Sequence, residues 1–449
     1  MKKQISMTEG KIGPALLSFA VPVLLSGFLQ ALYGAVDLFV VGRYDSSAAV
    51  SAVATGSQLM QTITGAVLGL SMGGTVLIGH AIGERDEEKA ARAVGSLAGL
   101  FALVALICTG VMTAAAGRVT GLLHTPPEAF VFAGQYIFIC SAGIPFIVGY
   151  NAVSGIFRGI GDSKTPMYLV AAACMVNVVL DFLLVGGFGM GAAGAAAATI
   201  AAQGISFLLS LAIIVKRGFP FPFGKRHFRP DPYAVKRILI VGTPLAVQDA
   251  LVNVSFLIIT VIVNTMGVIA SAAVGVVERL IGFAMLPPSA FASAVATMTA
   301  QNMGAGKPER AFGALKRGIG YSLVFGVLVC LYAQLLPETL TGIFSSDPAV
   351  ITAAAQYLRS YTIDCILVCF VFCINSYFSG SGKSVIAFAH SMVATFGVRI
   401  PLSYGISRLG GGTLYYMGLA APAASLVSIL ICGVILARQR GKSGETGKN

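Results

Sequence analysis

The sequence predicts an all-α integral membrane protein. Its twelve transmembrane helices form two six-helix bundles related by a pseudo-two-fold axis along the membrane normal. Three observations predict it. Of the 449 residues, 56% are hydrophobic and 11% charged, against roughly 25% charged in soluble domains. Apolar runs of about 20 residues, the length needed to cross a bilayer, recur along the whole chain. Short motifs of the first half reappear in the second at a near-constant offset. A mean hydropathy of +0.85 excludes a disordered chain, a nucleic-acid-binding domain and an ordinary soluble enzyme, since so few charges cannot cover a soluble surface. The longest polar stretch, Lys216 to Arg237, is too short for a separate soluble domain. Trp is absent, so Tyr and Phe supply any interfacial belt.

Breaks fall where charges, Gly, Pro and Asn cluster. They delimit spans at 12–41, 49–80, 92–116, 128–157, 165–187, 190–215, 236–263, 270–300, 311–335, 348–378, 384–407 and 413–437. Pro22, Pro145 and Pro244 lie inside spans and kink them, because proline lacks the N–H for the i−4 carbonyl. The first span follows a short basic tail and lacks an A-x-A cleavage site, so it reads as a retained signal anchor. The lobes are 1–215 and 238–437, joined by a cytoplasmic linker at 216–237 and followed by a cytoplasmic tail at 438–449.

Twelve spans put both termini on one side. Of the 30 Lys and Arg, 24 lie on the terminus side, three (Arg43, Arg118, Arg408) on the other, and three (Arg279, Arg359, Arg399) within spans. The excess marks the cytoplasmic face of an inner membrane.

The repeat has an offset of about 221 residues. GHAIGERDEEKA (79–90) lies over AQNMGAGKPERA (300–311), setting Gly83 on Gly304, and RGIGDSK (158–164) lies over SGSGKSV (379–385). Gln135-Tyr136 falls over Gln356-Tyr357, and Pro22 over Pro244 at 222. Each half then has six spans. An even number preserves orientation, hence the axis along the membrane normal.

All eight Cys fall in or near apolar spans. Cys365, Cys369 and Cys373 form an i, i+4, i+8 stripe, read as packing because no His or carboxylate accompanies it. The scattered histidines show no metal spacing. His80 and His227 read as structural, and His390, inside a span, is the one that invites a polar role. The Gly- and Ala-rich run at 189–204 fits close helix packing. Gly159-Ile160-Gly161 has neither the Lys-Ser/Thr of a P-loop nor a preceding strand, so no nucleotide is expected. No cofactor and no catalytic constellation is legible.

Intramembrane charges carry the functional argument. A carboxylate at the bilayer centre costs roughly 2.5–3.5 kcal/mol on insertion scales, so each one needs a reason. The second half holds Asp249, Glu278 and Asp364 with Arg279, Arg359 and Arg399, and mutual pairing is expected to neutralise them. The first half holds Asp37 and Asp181 with no mid-span base. Desolvation without a counter-charge favours protonation or cation capture. At about 1.5 Å per residue, Asp37 lies about 6 Å and Asp181 about 9 Å from the outer ends of their spans. Asn177 shares a face with Asp181 at i−4. Thr199 and Tyr136 sit roughly 12–14 Å deep by the same rise. The expected outer-half cluster is Asp37, Tyr136, Asn177, Asp181 and Thr199. Its oxygen ligands suit a proton network or a hard cation such as Na+.

The repeat, the spans and the motifs together resemble the multidrug and toxic compound extrusion (MATE) family. The carrying residues are Pro22 with AVDLFVVGR (35–43), FRGIGDSKTP (157–166), NVVLD (177–181) and AQNMGAGKPERA (300–311). The aspartate pattern is similar to the prokaryotic branch whose N-lobe acids carry the coupling ion. The resemblance implies alternating access, with H+ or Na+ exchanged for amphipathic, often cationic, compounds and span 1 bending at Pro22. It further implies Na+ held by Asp37, Asn177, Asp181 and Thr199 if sodium is the ion. Asp249 and Asp364 do not match the acid-pair spacing of another branch. Phe283, Met285, Met298 and Asn151 are candidate cavity residues for small-molecule drugs, and membrane lipids surround the whole. A lipid-linked saccharide flippase of the same superfamily is the alternative, although the N-half spans lack the basic residues expected of one.

Overall fold

A computed structural model describes residues 7–123, 125–408 and 414–446, with side chains to Gln439. Residues 1–6, 124, 409–413 and 447–449 lie outside the described residues. Among those described there is no strand. The helices are α1 (Ile12–Tyr44), α2 (Ser47–Glu84), α3 (Glu87–Leu122), α4 (Pro127–Ala142), α5 (Ile144–Ile160), α6 (Lys164–Asp181), α7 (Gly191–Arg217), α8 (Pro232–Asn264) and α9 (Val268–Ala284). They continue as α10 (Leu286–Gly304), α11 (Pro308–Leu335), α12 (Pro337–Thr341), α13 (Pro348–Tyr361), α14 (Ile363–Gly380), α15 (Ser384–Ala394), α16 (Ile400–Arg408), α17 (Leu414–Gly418) and α18 (Ala420–Thr446). π-Helical turns follow α6 at Phe182–Gly187 and α15 at Thr395–Arg399.

Among the described residues ten helices, counting those joined through a π turn or a one-residue break, are long and apolar enough to span. Two further spans are bent pairs, α4 with α5 at 49° and α9 with α10 at 40°. The twelve coincide with the twelve expected from the sequence. Pro145 marks the first bend, since helix resumes immediately after Gly143. The second bend falls just before Pro287-Pro288 and was not foreseen. The expected single helix at 348–378 is two, α13 and α14, broken at Thr362. Pro22 and Pro244 stay inside continuous helices.

Helix ends are set by local chemistry. Ser46 caps α2 by accepting from Ala49 N at 3.3 Å, and Asp86 caps α3 by accepting from Lys89 N at 2.9 Å. Such caps satisfy donors that have no intrahelical partner.

The chain divides into two compact units. The first comprises 1–10, 18–247 and 300–307, and the second 11–17, 248–299 and 308–449. Unit 1 is closed by α2 against α5. There Ser71 Oγ donates to Asn151 O and Thr75 Oγ1 to Gly155 O, each at 2.9 Å. The repeat partners Gly83 and Gly304 both belong to this unit and pack reciprocally. A Cβ on Gly83 would lie 2.0 Å from Gln301 O, and one on Gly304 2.1 Å from His80 O. The linker is docked, with Phe221 buried among α3 neighbours and Arg226 and His227 on Glu88 at 3.0 and 3.2 Å. Unit 2 is centred on Val277, Ala333, Ala354 and Leu358.

Candidate coupling site

The acid pair is built on unit 1. Asp37 sits two turns before the end of α1. Asn177 and Asp181 occupy one face of α6, with Asp181 its last residue before the π turn. Thr199 lies on α7 and Tyr136 on α4. Exposure is 5% at Asp37, 1% at Asn177, 0% at Asp181 and 2% at Tyr136. Thr199 Oγ1 donates to Asp37 Oδ2 at 3.1 Å. Asp181 and Asn177 also act on the Asp37 carboxyl, and Asp37 acts on Asp181 in return. Tyr136 sits within electrostatic reach of Asp37, beside Cys140. The structure therefore brings together the five residues that the sequence nominated.

No basic side chain is among the groups acting on either aspartate. Asp37 Oδ1, both carboxyl oxygens of Asp181 and both amide atoms of Asn177 are buried without a protein hydrogen-bond partner. Leaving buried polar atoms unpaired costs about 1–3 kcal/mol each. A proton shared between the acids, or a hard cation among these oxygens, would relieve several at once. Among the described residues no three His, Cys, Asp or Glu side chains gather, so the donor set is oxygen from two carboxyls, an amide and a hydroxyl. It fits H+ or Na+ better than a transition metal.

Sequence reasoning missed the inner margin of this site. Tyr33, one turn before Asp37, contacts Gln203 and feels Asp37 and Tyr150. Gln30, Tyr33, Tyr150 and Gln203 line a small crevice. The available signal was spacing, since Tyr33 and Gln203 are each four residues from a nominated residue and so share its face.

The nominated cavity residues divide. Phe283 is exposed and Met285 half-buried. Met298 is fully enclosed, so it packs the core. Asn151 commits its amide to Ile147 O at 2.8 Å. The pairing expected among the second-half charges takes no salt-bridge form, although Arg399 lies within electrostatic reach of Glu278 and Asp364. Among the described residues no ion pair within 4.0 Å includes Asp249, Glu278 or Asp364. Arg399 stands over the Phe256 ring at 4.3 Å and donates to Tyr361 OH at 3.3 Å. A delocalised guanidinium stacks readily on an aromatic face. The stripe Cys365, Cys369 and Cys373 is buried, and Cys369 Sγ donates to Cys365 O. His390 meets Ser428 Oγ at 2.8 Å, and His227 holds the linker.

Twelve apolar spans among the described residues, two of them bent, define a multi-pass membrane protein. A family model described as MatE matches the chain twice, at residues 22–183 and 244–405. The chain belongs to the MATE family, whose members are transporters. The two matched segments begin 222 residues apart, in step with the internal repeat. The chain is 27% identical to the probable multidrug resistance protein YoeA of Bacillus subtilis, covering 92% of this chain and 91% of that one. It is 22% identical to the multidrug export protein MepA of Staphylococcus haemolyticus, covering 94% of each. Among solved structures, it resembles an outward-facing multidrug resistance MATE transporter of the MOP superfamily, with TM-score 0.91, 22% identity and 99% of each chain covered. A MATE crystal structure in complex with MaL6 gives TM-score 0.91 at 21% identity over 100% of each chain.

Proposed function

We propose that this chain is a cation-coupled antiporter of the cytoplasmic membrane, exporting amphipathic, often cationic, drugs by alternating access, with H+ favoured over Na+ as the coupling ion. The carrying observation is the buried, base-free contact between Asp37 and Asp181. Two carboxyls so close cannot both hold charge without cost, so the site binds a cation or takes up a proton. A proton arriving from outside neutralises the pair and rearranges the bond that Asp37 accepts from Thr199. Bending of α1 at Pro22 then lowers drug affinity and releases cargo outward. The names of the relatives support drugs as cargo, and the Lys/Arg bias supports cytoplasmic termini. Lobes at 1–215 and 238–437 are the moving bodies in this reading.

The test is flux of a fluorescent organic cation in proteoliposomes, with pH and Na+ gradients imposed separately. A pH gradient alone should drive it, and Asp37→Asn should abolish it while the variant still inserts. Full flux by that variant would refute the coupling assignment. Drive by Na+ alone would transfer the same residues to sodium.

A further inference from the structure

We infer that the adjoining ends of α5, α6 and α7 bind the phosphate headgroup of an anionic phospholipid, with Arg158 as the inner contact and Lys164, Lys216 and Arg217 around it. The inference stands apart from the export reading and uses residues that the coupling site does not. All three helices belong to unit 1. Three residues join α5 to α6. Arg217 Nη1, at the end of α7, donates to Thr165 Oγ1 in the first turn of α6 at 3.5 Å. The three helix ends are therefore neighbours, and they carry four bases and one acid, Asp162. That carboxylate is taken up locally. Its Oδ1 accepts from Lys164 N at 2.9 Å and Thr165 N at 3.0 Å, and its Oδ2 from Thr165 Oγ1 at 2.6 Å. Among the described residues none of the four bases makes an ion pair within 4.0 Å.

Arg158 sets this cluster apart from an ordinary basic rim. Bases that only orient a chain in the membrane stay in water, as the exposed Lys164, Lys216 and Arg217 do. Arg158 is half-buried, and its Nε is enclosed without a protein hydrogen-bond partner. Tyr150, eight residues earlier, shares its side of α5. Tyr150 OH donates to Pro166 O at 3.5 Å, so that side meets the start of α6. The Tyr150 phenol acts electrostatically on Arg158, and no carboxylate is among the groups that do. A guanidinium that has given up hydration without gaining an acceptor is costly. An anion at the three helix ends supplies the acceptor.

Chemistry and position together select a lipid. A guanidinium fork matches two phosphate oxygens, and lysines add charge around it. Basic pockets between transmembrane helices take anionic headgroups. Apolar side chains continue from the cluster along both helices. Tyr168, Met175 and Val179 on α6 and Leu208 and Val215 on α7 are all exposed. Tyr168 stands one turn in from Lys164, where an interfacial aromatic belongs. Acyl chains lie along these stripes while the phosphate meets the bases. A soluble anion would engage the bases alone.

The test uses the full-length purified protein in neutral detergent with dioleoylphosphatidylglycerol, and dioleoylphosphatidylcholine and inorganic phosphate as comparison arms. Native mass spectrometry should show wild type retaining phosphatidylglycerol in preference to phosphatidylcholine. Arg158→Gln/Arg217→Gln should weaken that retention by about tenfold or more, as expected for losing charge-assisted phosphate contacts. Arg118→Gln, which removes an exposed base elsewhere on the chain, should leave it unchanged. In wild type alone, phosphatidylglycerol should shield Lys164 and Lys216 from acetylation, read by peptide mass spectrometry, and the other two arms should not. That measurement serves if the double variant does not fold. Equal retention of the two lipids by wild type, unchanged retention in the double variant, or absence of shielding would each overturn the inference. Equal shielding by inorganic phosphate would overturn the lipid assignment. Neither gradient nor cargo enters these measurements, so failure of the export reading shows separately, in flux.

Discussion

Gly56 on α2 makes room for Tyr136, and replacing it tests whether that ring must stay where it is. A Cβ on Gly56 would lie 2.2 Å from Tyr136 Cδ1, 2.8 Å from Cε1 and 3.1 Å from Cγ. Carbon atoms rest at about 3.5–4.0 Å, so Gly56→Ala pushes the ring back by more than about 1 Å. The ring is 2% exposed and has no empty space to enter. Overpacking of this kind costs typically about 1–3 kcal/mol. At about 2–4 °C per kcal/mol for domains of 150–250 residues, the melting midpoint in detergent should fall by roughly 2–12 °C. Because Tyr136 lies within reach of Asp37, gradient-driven export should fall with it. The double variant Gly56→Ala/Tyr136→Ala removes the clash. It should be more stable than the two single losses predict, with a coupling of about 1 kcal/mol or more. A Gly56→Ala protein that melts and exports like wild type would refute the packing argument and, with it, the claim that Tyr136 is fixed beside the acids.

Thr199→Val keeps the shape and removes the hydrogen bond that Thr199 Oγ1 donates to Asp37 Oδ2. Bonds to charged groups contribute about 1.5–3 kcal/mol, so pH-driven flux in proteoliposomes should drop by about tenfold or more. Asp181→Asn should match Asp37→Asn in flux and add little when combined with it, because the two carboxyls act as one unit. Glu88 is held below the usual carboxylate range by His227 first, then Arg92 and Arg226. A lowered folded value means its contribution is present above the ordinary carboxylate range and fades as pH falls through the lowered one. Amide-exchange protection factors in the 219–228 linker should therefore be high at neutral pH and fall in acid, and His227→Ala should lower them at neutral pH. Single cysteines at Glu88 and at Arg43, in a background without native thiols, should label from opposite sides of intact cells. Labelling of both from outside would overturn the orientation.

Span number, the repeat and the identity of the acid pair were legible because each rests on a local pattern. Twenty apolar residues in a row have few other fates, and a base-free acid in such a run is visible without coordinates. Asn177 and Asp181 sharing a face follows from helical geometry alone. That Asp37 faces Asp181, and that Thr199 donates to it, required α1, α6 and α7 to converge, and spacing within one helix carries no information about rotation against another. Two readings failed for that reason. Arg399 was expected to pair with an acid; it stacks on the Phe256 ring and reaches Glu278 and Asp364 only at longer range, since a guanidinium has alternatives that a charge count ignores. Met298 was nominated for a cavity but is enclosed, since a flexible apolar side chain suits a core equally well.

The sequence by itself determined that the chain lives in a bilayer, where it turns, and which buried charges lack an opposite. Those follow from the free energy of moving each residue type between water and hydrocarbon, a property of the residue and its near neighbours. The tertiary structure alone decided which side of each helix meets protein, lipid or water. It brought Thr199 onto Asp37 and enclosed Tyr136 over Gly56. Those outcomes depend on packing between segments far apart in the chain.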